Sequence, residues 1–326
     1  MWMEKNQTFG RDFILLGLLD PNHYGILFLT LIFIMFMVAI KGNTVLILLI
    51  HTDMRLHTPM YFFLSHLSLM DILNISNIIP RMISNFLYGR KSITFAGCGF
   101  QIFLYIVVMS AECLILAVMS YDRYVAICHP LRYPILMSHR ISVILAAGCW
   151  LGATINSTIH TIYVLQLPFC GTRAIDHFFC EVPALLKLSC VDTSQYEGGV
   201  SVAAVFFLLI PFSSILASYG HILRTVLHIK SMEAQRKAFS TCSSHLVVVV
   251  IYYGSFAFTY MRPKSYHTPG QDKVLAISYT ILTPMLNPLI YSLRNKDVLC
   301  ALKKVLEKSH IHRNENSFKI RLNAHG

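Results

Sequence analysis

The sequence predicts an all-α membrane protein, a bundle of seven transmembrane helices with the N-terminus outside the cell and the C-terminus in the cytoplasm. The first observation behind this prediction is composition: the 326 residues are 55% hydrophobic and 13% charged, whereas an ordinary soluble domain is about 25% charged. Mean hydropathy is +0.57. The second is a set of seven long apolar runs, and the third is an unequal distribution of Lys and Arg between the connecting segments. This composition disfavours a soluble enzyme, a disordered regulator and a small disulfide scaffold.

Each apolar run is long enough for a membrane-spanning helix, which needs about 20 mostly apolar residues. Transmembrane β-strands would show segments of about ten residues with alternating polarity, and these runs are longer and apolar on every face. The predicted spans are Tyr24–Ile50, Pro59–Phe86, Cys98–Ala126, Ile141–Leu165, Gly198–Leu227, Phe239–Met261 and Val274–Leu293. They divide the chain into an extracellular tail at residues 1–23, a seven-helix bundle at 24–293 and a cytoplasmic segment at 294–326. Residues 1–23 lack the pattern of a removable signal peptide, so we expect the first span to target and anchor the chain.

The orientation follows from Lys and Arg, which are enriched on the cytoplasmic side of membrane proteins. With the N-terminus outside, the inner segments hold sixteen of these residues and the outer segments hold nine. Asn6-Gln7-Thr8 is a glycosylation sequon in the outer tail, so Asn6 is the predicted glycosylation site. We attribute the net charge of +11 to this enrichment of Lys and Arg in the inner segments, so we expect no nucleic-acid partner.

The cytoplasmic segment begins with the pattern of an amphipathic helix, over Arg294–Lys308. Apolar residues recur at helical spacing and lysines occupy the remaining positions. Such a helix lies on an anionic inner leaflet, so membrane lipid is an expected partner. Cys300 within this helix is a candidate for palmitoylation.

Four cysteines face the oxidising outer side in this topology: Cys98, Cys170, Cys180 and Cys190. Four cysteines allow three pairings. A Cys98–Cys180 bridge would attach the middle of the second outer loop to the start of span three, and Cys170–Cys190 would then close a smaller loop. Free thiols are the alternative.

Two carboxylates fall within spans, where each polar group is costly and is a candidate for function. Asp71 and Glu112 each lie about 12 residues from the inner end of their span, which places both at a depth of ~18 Å. Two carboxylates at one depth indicate a shared cation, for which sodium is the candidate, or a shared proton. Asn43, Asn287 and Ser110 are further oxygen ligands. The alternative is a neutral, hydrogen-bonded carboxyl pair that only packs the helices.

The tripeptide Asp122-Arg123-Tyr124 stands at the inner end of span three. An acid beside an arginine at a helix end can form a local ion pair that breaks when the bundle opens. The freed arginine can then meet backbone carbonyls of a partner. A solvated helix end is the alternative interpretation.

Several longer motifs together show a specific resemblance to one known family. They are LHTPMYFFLSHLSLMDI from Leu56, MSYDRYVAICHPLRYP from Met119, Ser218-Tyr219, KAFSTCSSHLVVV from Lys237 and PMLNPLIYSLRN from Pro284. With Gly42-Asn43 and the outer cysteines they cover both halves of the chain in order. The chain resembles an olfactory receptor of the tetrapod type (class II), within the rhodopsin-like G-protein-coupled family. It departs from that pattern at Lys41, usually apolar, at Ser120, usually alanine, and at Tyr252, usually phenylalanine.

The resemblance implies a function and a set of partners. It implies an odorant receptor in the plasma membrane of olfactory cilia that activates the stimulatory olfactory G protein and raises cyclic AMP. It also implies the bridges Cys98–Cys180 and Cys170–Cys190. The residues that it assigns to activation and G-protein coupling are Asp122, Arg123, Tyr124, Tyr219, Asn287 and Tyr291.

In similar receptors the ligand lies between spans three, five, six and seven, beneath the second outer loop. Here residues on spans three and six recur at three and four positions, on one face of each helix. The candidate lining residues are Tyr105, Ile106, Met109, Ser110, Ala203, Phe207, Tyr253, Phe256, Ala257, Tyr260 and Ile277. This mostly apolar lining with a few hydroxyls suits a small, mostly apolar volatile ligand. Cys113 lies on the same face of span three, and helix packing is the alternative role for each of these side chains.

Other functions have less support. Tyr105 stands where an amine receptor has its aspartate, span seven has no lysine for a retinal Schiff base, and the chain has no enzyme motif such as HExxH. We expect no cofactor other than the candidate sodium ion. Two alternatives stay open: a chemosensory or orphan receptor of the same fold outside the nose, and a transporter or channel that uses Asp71 and Glu112 as an ion path. The second lacks the internal repeat typical of many transporters.

Overall fold

Seven long helices form the bundle in the computed structural model. The structure describes residues 12–18, 23–89, 91–260, 269–295, 297–305 and 307, without the side chains of residues 23, 237, 256–260, 269, 293 and 294. Within this part of the chain seven helices are long and apolar enough to cross a membrane. They are α1 (His23–Thr52), α2 (Pro59–Tyr88), α3 (Phe95–Cys128), α4 (His139–Gln166), α5 (Ser194–Ala204, a π-helical turn at Val205–Leu209, then Ile210–Leu227), α6 (Met232–Tyr260) and α7 (Pro269–Ile277, a π-helical turn at Ser278–Leu282, then Thr283–Arg294). The predicted fold class is confirmed.

Some helices extend beyond the predicted spans because a helix need not end where the bilayer ends. Helix α6 begins at Met232 rather than Phe239, so its first turns are polar and project into the cytoplasm. Helix α3 begins at Phe95, where the Thr94 hydroxyl accepts a 3.1 Å hydrogen bond from the Gly97 amide. Hydropathy detects only the part of each helix that crosses the membrane. Shorter helical segments lie in the loops, at Met54–Leu56, Pro130–Arg132, Tyr133–Leu136 and Val182–Leu186.

An eighth helix, α8, covers residues 297–305 where the sequence predicts an amphipathic helix. Val298 and Ala301 are buried against the bundle. The Tyr61 hydroxyl of α2 donates a 3.0 Å hydrogen bond to Asn295 Oδ1, at the junction between α7 and α8. The inner end of α2 therefore holds the start of α8 in place.

A small sheet that the sequence analysis did not predict lies on the outer side. It has the order β2–β1–β3, with β1 at Phe13–Leu15, β2 at Ser92–Ile93 and β3 at Ala174–Ile175. Strand β1 is antiparallel to β2 and parallel to β3. Phe13 and Leu15 are fully buried, while Ile14 between them is exposed, as expected for the alternation of a strand. Part of the predicted extracellular tail is thus tied to the first and second outer loops. Asn6 lies outside the described residues.

Helix α3 is the centre of the bundle and packs against α2, α4, α5 and α6. Helix α1 packs on α2 and α7. The approach of α1 to α7 is close at Gly42, where an added Cβ would lie 3.1 Å from Cγ of Pro288 and would crowd the proline ring. Many large apolar side chains on α1, α4 and α5 are exposed, which is expected for surfaces that face lipid.

Candidate functional site

Two disulfides shape the second outer loop, and one of them attaches it to the bundle. Cys98 bonds to Cys180 and Cys170 bonds to Cys190, with Cα–Cα distances of 5.5 and 5.6 Å. These are the pairings implied by the resemblance. Gln101 of α3 reinforces the first, since its Oε1 accepts a 2.8 Å hydrogen bond from the Cys180 amide. The loop residues next to Cys180 are therefore held above α3.

Aromatic contacts connect this loop to the outer part of the predicted ligand site. The ring of Tyr105 lies 5.4 Å from Phe179 of the loop and 6.4 Å from Tyr279 of α7. The Tyr279 hydroxyl donates a 3.2 Å hydrogen bond to Glu181 Oε1. Tyr105 is thus brought together with a loop and a helix that are distant in sequence. The sequence analysis missed Phe179, Glu181 and Tyr279; the available signal was the position of Phe179 and Glu181 on either side of Cys180.

His177 and Glu181 form a buried acid–base pair in the loop. His177 Nε2 lies 3.2 Å from Glu181 Oε2, although neither ring nitrogen of His177 makes a well-oriented hydrogen bond to any residue that the structure describes. Burial raises the pKa of Glu181 to about 7. Burial, followed by the nearby charge of Lys273, lowers the pKa of His177 to about 4. At neutral pH the imidazole is therefore uncharged, and the carboxyl is near the midpoint of its titration.

The predicted lining residues differ in their surroundings. Tyr105, Met109 and Ser110 of α3 are buried, and Ile106, Ala203, Phe207 and Ile277 are half-buried. The Ser110 hydroxyl accepts a 3.0 Å hydrogen bond from Asn156 Nδ2, so it is directed toward α4. Phe207 lies in the π-helical turn of α5, and Ile277 directly precedes that of α7. Phe256, Ala257 and Tyr260 have their backbone in α6, and their side chains lie outside the described part.

Tyrosines of α6 form the lower boundary of this region. The Tyr253 ring lies 4.9 Å from Phe212 of α5, and its hydroxyl donates a 3.4 Å hydrogen bond to the Cys113 carbonyl. The Tyr252 hydroxyl donates a 2.8 Å hydrogen bond to the Met109 carbonyl. Both bonds attach α6 to α3. The bond from Tyr252 depends on the hydroxyl by which this chain departs from the family pattern.

The carboxylates Asp71 and Glu112 lie buried in the middle of the bundle. Asn287 Nδ2 of α7 donates to Asp71 at 3.0 Å from Oδ2 and 3.3 Å from Oδ1. Asn43 Nδ2 of α1 donates to the Ala39 and Pro284 carbonyls. Within the described part of the chain, three of these side chains keep a buried oxygen without a hydrogen-bond partner: Glu112 Oε1, Asn43 Oδ1 and Asn287 Oδ1.

These oxygens decide what the central site can hold. Among the described residues no cluster of three or more His, Cys, Asp or Glu side chains could hold a metal ion. Two carboxylates with amide oxygens are instead the oxygen ligands that a hard cation takes. Ser110, a predicted further ligand, is directed toward α4 by its bond to Asn156.

At the inner end of α3 the structure corrects one expectation. Asp122 and Arg123 form no ion pair in the described part of the chain; Asp122 Oδ1 accepts a 2.8 Å hydrogen bond from the Tyr133 hydroxyl instead. Consecutive residues point about 100° apart around a helix, and the short helix Tyr133–Leu136 brings Tyr133 to the acid. Tyr124 lies against His129, with 3.0 Å between its hydroxyl and Nε2.

A buried histidine connects three helices beside Arg123. His245 Nε2 of α6 donates to the Leu116 carbonyl of α3 at 3.1 Å, which leaves Nδ1 as the acceptor for the Tyr219 hydroxyl of α5 at 2.6 Å. The charge of Arg123 acts on Tyr219, His245 and Tyr291, so the guanidinium lies within electrostatic range of all three. Among the described residues neither Arg123 Nε nor the Tyr291 hydroxyl finds a hydrogen-bond partner. Of the predicted activation residues, Tyr219 thus bonds directly to a histidine that was not among them.

Comparison with known proteins agrees with this geometry. A family model described as olfactory receptor matches residues 32–309. The chain is 63% identical to olfactory receptor 2AJ1 of Homo sapiens over 96% of this chain and 95% of that protein. It is 54% identical to olfactory receptor 2L2 of Homo sapiens over 93% and 97%, and 51% identical to olfactory receptor 2V1 of Mus musculus over 95% and 98%. Since these matches span the bundle from α1 to α8, the chain belongs to the olfactory receptor family.

Proposed function

We propose that this receptor binds a small, mostly apolar volatile ligand between α3, α5, α6 and α7, activates the stimulatory olfactory G protein and raises cyclic AMP. Membership of the family supports the general part of this function: the chain is an odorant-sensing G-protein-coupled receptor and a multi-pass protein of the plasma membrane. Members of this family are receptors rather than enzymes. The ligand class, the location of its site, the type of G protein and the second messenger are the proposal.

The observation that carries the proposed ligand site is the contact of Tyr105 with both Phe179 and Tyr279. It closes the outer end of the region between α3 and α7 with aromatic rings. Tyr253 bounds the inner end. A ligand held between these rings meets mostly apolar surface and a few hydroxyls, which favours a neutral compound with one polar group.

The proposed mechanism of activation uses the hydrogen bonds that connect α3, α5 and α6. A ligand that displaces the Tyr253 ring weakens its bond to the Cys113 carbonyl and moves α6. The inner end of α6 then carries His245 away from the Leu116 carbonyl and from Tyr219. Tyr219 and Tyr291 become free to approach Arg123, and these groups, with Asp122 and Tyr124 beside them, form the G-protein site. Each such bond contributes about 1 kcal/mol, so a ligand that prefers the open bundle by a few kcal/mol shifts the population.

We also propose that Asp71 and Glu112 hold a sodium ion in the inactive receptor. The unpaired buried oxygens of Glu112, Asn43 and Asn287 support this proposal. The ion would supply the positive charge that two neighbouring buried carboxylates require. Purified receptor should then melt at a higher temperature in NaCl than in choline chloride, and Glu112→Gln should remove the difference. An equal response of both proteins to the two salts would instead favour the neutral carboxyl pair.

A cyclic AMP reporter assay tests the signalling proposal. Cells that express the receptor with the olfactory G protein are exposed to a panel of volatile compounds. Arg123→Ala should abolish the response at unchanged surface level, whereas Arg140→Ala, at the exposed inner end of α4, should retain it. A normal response from Arg123→Ala would contradict the mechanism.

The ligand site has a separate test in the same assay. Tyr105→Ala should raise the ligand concentration that gives a half-maximal response by tenfold or more. A tenfold change corresponds to about 1.4 kcal/mol of binding free energy. Tyr88→Ala, in an exposed position at the outer end of α2, should leave the response unchanged. Equal potency of Tyr105→Ala and wild type would place the ligand elsewhere.

A further inference from the structure

A small cavity lies at the outer ends of α1 and α2, beneath the N-terminal strand. Its volume is about 40 Å³. Phe28 and Leu29 of α1 and Met82 and Asn85 of α2 belong to its lining, and α2 ends shortly afterwards at Tyr88. Its described lining residues include none of those predicted for the odorant site. The cavity is therefore a separate feature of the outer side of the receptor.

Two outer segments close this cavity from above. Residues 15–18, at the end of strand β1 and just after it, are part of the lining, as is Phe178 of the second outer loop. The Gly17 amide donates a 3.2 Å hydrogen bond to the His177 carbonyl. Gly17 has a φ of +86°, a conformation that glycine adopts at little cost. The backbone of the N-terminal segment is thus fixed over the cavity, which is formed before any ligand enters.

A polar side chain of α2 lies within the otherwise apolar lining. Asn85 is only 7% exposed, and its amide makes no hydrogen bond with any residue that the structure describes. Buried side-chain amides in proteins are nearly always hydrogen-bonded. An amide group can donate two hydrogen bonds. A ligand with an acceptor oxygen would therefore satisfy Asn85.

Lys91 adds a positive charge at the mouth of the cavity. It is part of the lining and is exposed, and its ammonium forms no ion pair within the described part of the chain. Apart from Asn85 and Lys91, the described lining consists of apolar side chains and glycines, and it contains no Asp or Glu. An anion that enters this cavity would meet an ammonium and an amide donor, and no carboxylate of the described lining would repel it.

The chemistry and the size of the cavity together define a ligand class. A carboxylate has two acceptor oxygens, so it can accept from an ammonium and from an amide at the same time. A cavity needs about 10–15 Å³ to hold one water molecule. A volume of about 40 Å³ therefore accommodates a short alkyl chain and excludes a ring or a long acyl chain. An aliphatic amine would be repelled by Lys91.

We propose that this cavity is a binding site for a small aliphatic monocarboxylate of about three to five carbons. One carboxylate oxygen accepts a hydrogen bond from the Asn85 amide, and the other faces the Lys91 ammonium. The alkyl chain lies against Leu29 and Met82. The site is independent of the proposed odorant and G-protein sites, and its existence does not depend on the proposed signalling function.

Saturation-transfer difference NMR on the purified full-length receptor tests this site. Sodium butyrate is titrated, and sodium chloride keeps the sodium concentration and the ionic strength constant. We expect saturable binding of butyrate. Sodium acetate should bind about tenfold more weakly, because it lacks two methylene groups that each contribute about fourfold when buried. Equal affinities for acetate and butyrate, or no saturable binding of butyrate, would overturn the proposal.

Substitution of the two polar groups tests the contacts with the carboxylate. Lys91→Gln should lower the affinity for butyrate about fivefold, because a hydrogen bond between charged groups is lost. Its matched control is Lys187→Gln, an exposed lysine of the second outer loop, which should bind as wild type does. Asn85→Asp keeps the shape of the side chain and places a like charge beside the ligand, so it should abolish binding. Unchanged binding by Asn85→Asp would contradict the proposed contact.

A further variant separates this cavity from the odorant site and keeps both polar groups. Leu29→Trp fills the apolar end of the cavity, so it should abolish butyrate binding even if Asn85→Asp folds poorly. Tyr105→Ala, within the proposed odorant site, should leave butyrate binding intact. Loss of butyrate binding in Tyr105→Ala together with normal binding in Leu29→Trp would place butyrate in the odorant site and overturn the proposal.

Discussion

The Asn43 side chain of α1 donates a 2.9 Å hydrogen bond to the backbone carbonyl of Pro284 in α7. That carbonyl lacks its helical partner because the residue four positions later is Pro288, which has no N–H. The gap in the α7 hydrogen bonds is thus filled from α1, at the same level where Gly42 allows Pro288 to approach. Gly42-Asn43 and the two prolines form one structural unit.

Asn43→Leu should destabilise this unit. The substitution keeps the approximate volume but leaves the Pro284 carbonyl without a donor, which costs about 1–2 kcal/mol. The apparent melting temperature of the purified receptor should fall by several degrees. Thr30→Val is the control, since the Thr30 hydroxyl bonds only to the Ile26 carbonyl of its own helix. Equal melting temperatures for Asn43→Leu and wild type would show that the interhelical bond is not stabilising.

The helices were predictable from sequence because the bilayer imposes a minimum apolar length on each of them. Cysteine positions limited the disulfides to three pairings, and the resemblance selected one. Contacts such as Tyr133 with Asp122, or Tyr252 with Met109, were not predictable. They depend on the rotation of each helix about its axis and on the course of a loop, and neither leaves a periodic pattern. The strand at Phe13–Leu15 was missed because its apolar residues do not alternate with polar ones.

Tyr252→Phe should raise the basal activity of the receptor. The Tyr252 hydroxyl attaches α6 to the Met109 carbonyl of α3 in the closed bundle, and its loss removes about 1 kcal/mol of that attachment. The population of the open bundle should then increase about fivefold, as judged by ligand-free cyclic AMP at matched surface level. Tyr88→Phe provides the control for the loss of a tyrosine hydroxyl at an exposed site. Unchanged basal signalling from Tyr252→Phe would mean that this bond persists in, or is irrelevant to, the open state.

Glu181 and His177 should give opposite dependences of stability on pH. The pKa of Glu181 rises from 4.5 to about 7 on folding, so its stabilising contribution is present below pH 4.5 and is lost as the pH rises through 7. The pKa of His177 falls from 6.5 to about 4, so its contribution is present above pH 6.5 and is lost as the pH falls through 4. Each shift corresponds to at most about 3 kcal/mol. Between pH 4.5 and 6.5 the two slopes oppose each other.

Single substitutions should separate these two slopes. Glu181→Gln leaves the His177 contribution, so the melting temperature should rise with pH from 4 to 6.5. His177→Asn leaves the Glu181 contribution, so the melting temperature should fall as pH rises from 4.5 to 7. The surrounding charges of Asp176, Asp272, Lys187 and Lys273 are common to all variants, and the double variant corrects for them. The same pH profile in both single variants would exclude the pair as the source.

Alanine substitution of two neighbouring residues in the outer sheet should destabilise the receptor at one position and have little effect at the other. Phe13 is fully buried, 5.2 Å from the ring of Phe169 and 6.0 Å from that of Phe95. Truncation to alanine should cost about 3 kcal/mol, because it leaves a cavity between the loops. The adjacent Ile14 points outward with 41% of its surface exposed, so Ile14→Ala should have little effect. Its backbone bond to the Arg173 carbonyl, at 3.0 Å, is kept in both variants. Antibody staining of intact cells and the melting temperature should therefore decrease for Phe13→Ala alone. Equal losses for the two variants would contradict this prediction. They would indicate that the strand holds the N-terminal segment to the outer loops through its backbone hydrogen bonds and not through its buried side chains.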